Sequence, residues 1–159
     1  MKNSNKGFSY VEMIIVLAIM ALMIGFISIT IGTNKRNELS RTSEKLESLI
    51  NKTRTSALTK GKNQGVLNIA KVDGNIYAYV GNACADDDPE AVKSKGEKLC
   101  NGRLEIYVNT DSTEDGKVHR IHFKQSTGGL TGGTVTVMVK RDNISSSFRV
   151  LGMTGKVKR

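Results

Sequence analysis

The sequence predicts an α+β protein: one long N-terminal helix, membrane-spanning in its first half, packed against an antiparallel β-rich globular head. Three observations carry this. Residues 13–33, MIIVLAIMALMIGFISITIGT, hold no charged side chain, and a run of that length crosses a bilayer as a helix. Residues 34–60 keep apolar positions near helical spacing with Lys, Arg, Glu and Ser between them. Beyond Gly61 the apolar period changes to two, and turn residues separate the runs.

The first element is the helix. Residues 8–33 form its apolar half and 34–60 its amphipathic half, with Leu39, Leu46, Leu49, Ile50, Ala57 and Leu58 on the inward stripe and Gly61 as the stop. Residues 8–60 number 53, about 80 Å if unbroken at 1.5 Å per residue. Gly25 and Gly32 each weaken it by roughly 1 kcal/mol relative to Ala; close packing and local melting both account for them. Residues 61–159 form the head. Val66–Ala70, Ile76–Val80, Leu104–Val108, Val118–Phe123, Val135–Val139 and Phe148–Leu151 read as strands. Asp73-Gly74-Asn75 and Asp115-Gly116 read as turns, the first closing a hairpin. Ser126–Gly133, STGGLTGG, reads as a flexible connection, and 84–100 as a polar insertion between strands.

Composition narrows the function. The 159 residues suit one domain, and one proline, no tryptophan and 16 glycines exclude collagen-like and proline-rich disordered classes. Lys and Arg total 24 against 15 Asp and Glu, a formal charge of +9. Such a surplus suits nucleic acid, anionic lipid or an acidic partner. The cations are scattered and no aromatic residues interleave with them, so a solvated basic surface is the plainer reading.

The N-terminus is the informative part. MKNSNKG, with Lys2 and Lys6, precedes Phe8; Glu12 follows, and then the apolar run. A secretory signal has a shorter apolar core and a small-residue cleavage site after it. Here the run is too long, no A-x-A-like site follows, and the small residue placed for processing is Gly7. A carboxylate in a membrane helix costs about 2.5–3.5 kcal/mol at the centre and less near an end. Glu12 therefore either sits at an interface or has a cationic partner. No Lys or Arg follows it until Lys35. Cleavage after Gly7 would give Phe8 a free α-amino group, four residues back, able to pair with Glu12 of the same chain or of a neighbour.

Lys6-Gly7-Phe8-Ser9-Tyr10-Val11-Glu12, with the apolar run behind it, resembles the class III signal of type IV prepilins and pseudopilins over about the first 25 residues. The resemblance implies that a prepilin peptidase cuts between Gly7 and Phe8 and N-methylates Phe8. It makes Glu12 the carboxylate of subunit assembly. Ser9 and Tyr10 depart from the Thr and Leu of many members. The implied partners are other pilin or pseudopilin subunits, the prepilin peptidase, an inner-membrane assembly platform and the membrane. The implied location is the bacterial cytoplasmic (inner) membrane, single-pass with the head outside the cytoplasm, and then an extracytoplasmic filament. Flanking Lys and Arg do not decide the orientation on their own, because Lys35, Arg36 and Arg41 follow the run. Loss of Lys2 and Lys6 would lower the balance from +9 to +7.

A narrower resemblance lies at the other end. His122-Phe123 through Gly128-Gly129, Thr134–Val139, Phe148–Leu151 and the closing Thr154-Gly155-Lys156-Val157 are similar to H-type minor pseudopilins of type II secretion and to FimT-like minor pilins. It implies a two-sheet head and low copy number near a filament tip. A major pilin and a competence-type pilin that binds DNA for uptake are the alternatives.

Few other residues suggest chemistry. Cys84 and Cys100 enclose 15 residues. In an oxidising compartment they are spaced for a disulfide; in a reducing one they stay two thiols, and the sequence leaves both open. His119 and His122, three apart on a strand, face opposite ways and make no compact metal pair. Asp86–Glu90 and Asp111–Gly116 lack the spacing of a calcium loop, so a solvated loop and a turn rank first and calcium second. No nucleophile elbow, HExxH or paired-Cys zinc pattern occurs, and we expect no enzyme and no resident metal.

Overall fold

A computed structural model of the chain describes residues 9–59, 65–82 and 88–159, with side chains over the same residues except 25–32. The elements in order are α1 (Tyr10–Thr59), β1 (Val66–Val72), β2 (Asn75–Gly81), α2 (Pro89–Lys95), β3 (Glu97–Asn101) and β4 (Glu105–Val108). They continue with β5 (Asp111–Ser112), β6 (Val118–His122), β7 (Val135–Arg141), β8 (Ile144–Val150) and β9 (Val157–Lys158). The chain divides into two compact units, Met1–Asn37 and Glu38–Arg159.

In the first unit, Ser9 stands just before α1 and Glu12 lies three residues on. The Ser9 backbone N–H donates to Glu12 Oε2 at 3.4 Å, and Met13 N–H donates to the Ser9 carbonyl at 3.1 Å. A carboxylate reaching back to the residue before a helix is one half of a capping box. The membrane-spanning assignment of residues 8–33 does not hold: among the described residues no helix is long and apolar enough to cross a membrane. Glu12, in the first turn of α1, sets a carboxylate at the start of that stretch, where hydrocarbon disfavours it.

The second unit is α+β. Four strands pair in the order β3-β2-β1-β6 and five in the order β5-β4-β7-β8-β9, every named pair antiparallel. Leu39, Leu46, Leu49, Ile50 and Ala57 of α1 bury in one cluster with both sheets: Leu67, Ile69, Ile76 and Ile121 from the first, Ile106, Val137, Val139 and Phe148 from the second. These helix positions recur at intervals of three, four and seven, the spacing of a single stripe. Thr53 is buried on α1, and its hydroxyl donates to the Leu49 carbonyl at 2.6 Å, so it enters the core without an orphaned donor.

Polar ties fasten the sheets to the helix. Lys45 Nζ donates to the Lys98 carbonyl at 2.8 Å, and Arg54 Nε to the Thr154 carbonyl at 2.8 Å. Arg159 Nε meets Glu47 Oε1 at 2.7 Å, and Arg141 pairs with Glu38 while only 11% of its side chain is exposed.

Strand β1 is buried on both faces. Leu67 and Ile69 face the main core; Ala70 and Val72 join a second cluster with Val92 of α2. That helix occupies part of the stretch expected to be an insertion. Asp88 is its N-cap, accepting from Glu90 N–H at 3.0 Å; Pro89 opens it, and Lys93 and Lys95 lie in its last turn. The end of that stretch enters β3, an edge strand paired with β2. The expected β1–β2 hairpin is present, its turn formed by Asp73 and Gly74 at φ of 51° and 70°. A second two-residue turn at Asp142-Asn143 starts β8 at Ile144, four residues earlier than expected, because alternation is masked by Ser145, Ser146 and Ser147.

Residues 126–133 are not a flexible connection. Gly128, Gly129 and Leu130 are buried, and Lys124 N–H donates to the Gly129 carbonyl at 2.7 Å. Leu130 N–H donates to the Gly152 carbonyl at 2.7 Å, and Gly155 N–H to the Leu151 carbonyl at 2.7 Å. The glycines let two loops interlock: at Gly155, φ 64°, any Cβ would run into the Gly128 carbonyl and the Arg54 side chain. The closing Thr154-Gly155-Lys156-Val157 therefore closes the fold.

Candidate assembly site on the first helix

The apolar start of α1 sets the chemistry of the site. Between Tyr10 and Ile24 the only charged residue is Glu12. Twelve large apolar side chains lie in the same stretch, the least exposed being Val16 at 44% and the most exposed Tyr10 at 80%. They fall on every side of the helix, so no single face is turned to a core. A helix apolar all round belongs in an apolar environment. Burying side chains of this kind contributes roughly 1.5–3 kcal/mol each, on the order of 20 kcal/mol for the set before the cost of ordering.

Glu12 gives that surface its direction. Its bond from Ser9 N–H, at 3.4 Å, is longer than the usual 2.7–3.2 Å and correspondingly weak. Among the described residues the Ser9 N–H donates to that carboxylate, which can accept several further bonds, and the side chain is exposed at the rim of the apolar surface. A positive group brought to it as water is excluded gains more than it would in bulk water, because the dielectric falls. Ser9-x-x-Glu12 is readable in the sequence as a capping pattern, a signal separate from the cost of a carboxylate beside the apolar run.

The other expected residues fall as follows. Gly7, Phe8 and Cys84 lie outside the described residues. Cys100 is buried in β3, and burial pushes its thiol up to about 12, with Glu38 nearby adding to the effect. His119 and His122 point to opposite faces of β6. His119 is buried with Nε2 3.1 Å from the Ser112 carbonyl, and His122 is exposed. Asp88 and Glu90 are engaged at the start of α2, Glu90 lying 3.4 Å from Lys93 Nζ; Asp86 and Asp87 lie outside the described residues. Among the described residues no three His, Cys, Asp or Glu side chains come together as a metal site.

Compared with family models, curated proteins and solved structures, the chain matches none.

Proposed function

We propose that the chain is a structural subunit of a type IV pilus or of a type II secretion-like pseudopilus, assembled through its N-terminal helix. The observation that carries the reading is the join of an exposed carboxylate, Glu12, to a helix surface that is apolar on every side from Tyr10 to Ile24. The residues around it resemble a prepilin signal, with Gly7 and Phe8 as the cut site and Phe8 as the N-methylated terminus. On this reading the α-amino group of Phe8 on one subunit pairs with Glu12 of the next, and the apolar helices bundle. Prepilin peptidase and an assembly platform act on the chain at the bacterial cytoplasmic membrane, and the finished filament lies outside the cytoplasm. Within the family the closing residues favour a minor subunit. The protein works by binding its neighbours and carries out no catalysis.

The test is made on sheared filaments and on membranes. Mass spectrometry is expected to find a peptide beginning at methylated Phe8, and Glu12→Leu is expected to be processed but to enter filaments poorly. Chains beginning at Met1, found only in membranes, would refute processing; normal incorporation of Glu12→Leu would refute the role of the carboxylate.

A further inference from the structure

The five-stranded sheet is electrically lopsided. At one edge lies β5, followed by the loop to β6, and this segment places Asp111, Glu114 and Asp115 in solvent against one exposed cation of its own, Lys117, with Asp115 joined by a backbone bridge to Lys71 of β1. The segment is held firmly. Thr113, between them, is buried, and its backbone and hydroxyl both donate to the Ile106 carbonyl, at 2.9 and 2.7 Å. His119 adds a contact to the Ser112 carbonyl at 3.1 Å. The carboxylates are therefore carried on a rigid rim.

The opposite edge is β9, beside β8. From Asn143 to Arg159 there is no acidic residue, while Arg149, Lys156, Lys158 and Arg159 are all basic. Arg159 pairs with Glu47, but Arg149, Lys156 and Lys158 are exposed with no ion pair among the described residues. Arg149 and Lys158 also stand directly opposite each other across the β8–β9 ladder. Like charges in that position repel and weaken the pairing. An anionic neighbour would relieve the cost.

The two edges cannot satisfy each other within one molecule. Four inter-strand spacings separate β5 from β9, about 19 Å at roughly 4.8 Å each, against a screening length of about 8 Å at physiological salt. Each edge is a two-residue strand, too short for an extended backbone ladder, so side-chain charge is what it offers.

We infer that the β9 edge of one copy meets the β5 edge of the next, Arg149, Lys156 and Lys158 facing Asp111, Glu114 and Asp115 in a head-to-tail contact. The inference rests on the filament reading and adds a second contact to the one at Glu12. A contact between two different patches does not close on a dimer; it repeats, as a ring or a helical array. Charges at such a rim set the register and speed of association, and salt weakens them.

The experiment uses the full chain in detergent, with association followed by sedimentation at low and high salt. One variant reverses the acidic edge (Asp111→Lys, Glu114→Lys, Asp115→Lys), a second the basic edge (Arg149→Glu, Lys156→Glu, Lys158→Glu), and a third both. All six side chains are solvent-exposed, and circular dichroism verifies that each variant is folded. Each single-edge reversal is expected to weaken association on the order of tenfold at low salt. Reversing both edges is expected to restore it, and mixing the two single-edge variants to restore it as well, because the two chains then alternate along the array with every contact complementary. Unchanged association after either single reversal, or no recovery when both are reversed, would overturn the contact. So would retention on nucleic acid that falls with the basic-edge reversal while self-association stays intact. A Glu12→Leu chain with native edges separates the two claims: normal filament entry by that chain defeats the carboxylate role alone, whereas edge reversals without effect defeat the head-to-tail contact alone.

Discussion

Replacing Gly155 with alanine tests whether the C-terminal residues lock the fold. Gly155 sits at φ 64°, which costs an L-residue about 1–2 kcal/mol. The new Cβ would land on the Gly128 carbonyl oxygen and 3.1 Å from Arg54 Cδ. Gly128 cannot retreat freely, because its loop is fixed by the Lys124–Gly129 bond and by Leu130 to Gly152. Forcing atoms into such a place costs about 1–3 kcal/mol more, so the total is about 2–5 kcal/mol. Gly74→Ala is the control: φ is 70°, but nothing lies within 4 Å of the added Cβ, so only the backbone strain is expected. Urea unfolding of the full chain in detergent, followed by far-ultraviolet circular dichroism since the chain has no tryptophan, measures both. If Gly155→Ala costs no more than Gly74→Ala, the interlocked loops are not a constraint and the reasoning fails.

Two further outcomes are expected. Arg141→Ala strands Glu38 at the start of the second unit and should cost about 2–3 kcal/mol, less than a fully buried pair because Glu38 keeps 34% exposure; a double-mutant cycle with Glu38→Ala should recover about 1–2 kcal/mol as coupling. The Cys100 thiol, raised to about 12 by burial, holds its proton in the folded chain where an unfolded chain, near 9, has lost it. Stability from this group is therefore full below pH 9 and falls between pH 9 and 12, at up to about 1.4 kcal/mol per unit. Cys100→Ala should remove that part of the slope when alkaline unfolding of the two chains is compared.

The legible parts of the sequence are those where burial follows one rule. Ile106 and Val108 in β4, and Val137 and Val139 in β7, alternate cleanly with outward residues, and the Asp73-Gly74 turn names its own geometry. The helix stripe from Leu39 to Ala57 is legible for the same reason. Strand β3 is not, because an edge strand buries only Leu99 and Cys100 and carries Glu97 and Lys98 in solvent. Helix α2 was hidden behind its acidity: Asp88-Pro89-Glu90 is a helix start, and carboxylates read as a loop are cap residues. At the candidate site, Glu12 is legible because a carboxylate beside an apolar run is costly. The membrane span, by contrast, was inferred from uncharged length alone. The ties between Arg141 and Glu38, 103 residues apart, and between Arg159 and Glu47, 112 apart, depend on tertiary closure and leave no local pattern.

The placing of those ties has a mechanical consequence. Glu38, Lys45, Glu47 and Arg54 lie along about 24 Å of helix, and their partners come from β3, the β7–β8 hairpin and the C-terminal residues. A pull along α1 in the second unit is shared among all four and the apolar seam beneath them, so they resist as a lap joint does. A peeling force on the C-terminal strand instead meets Arg159–Glu47 and Arg54–Thr154 one after another. The unit is built to be strong in the direction of its helix and weak across it.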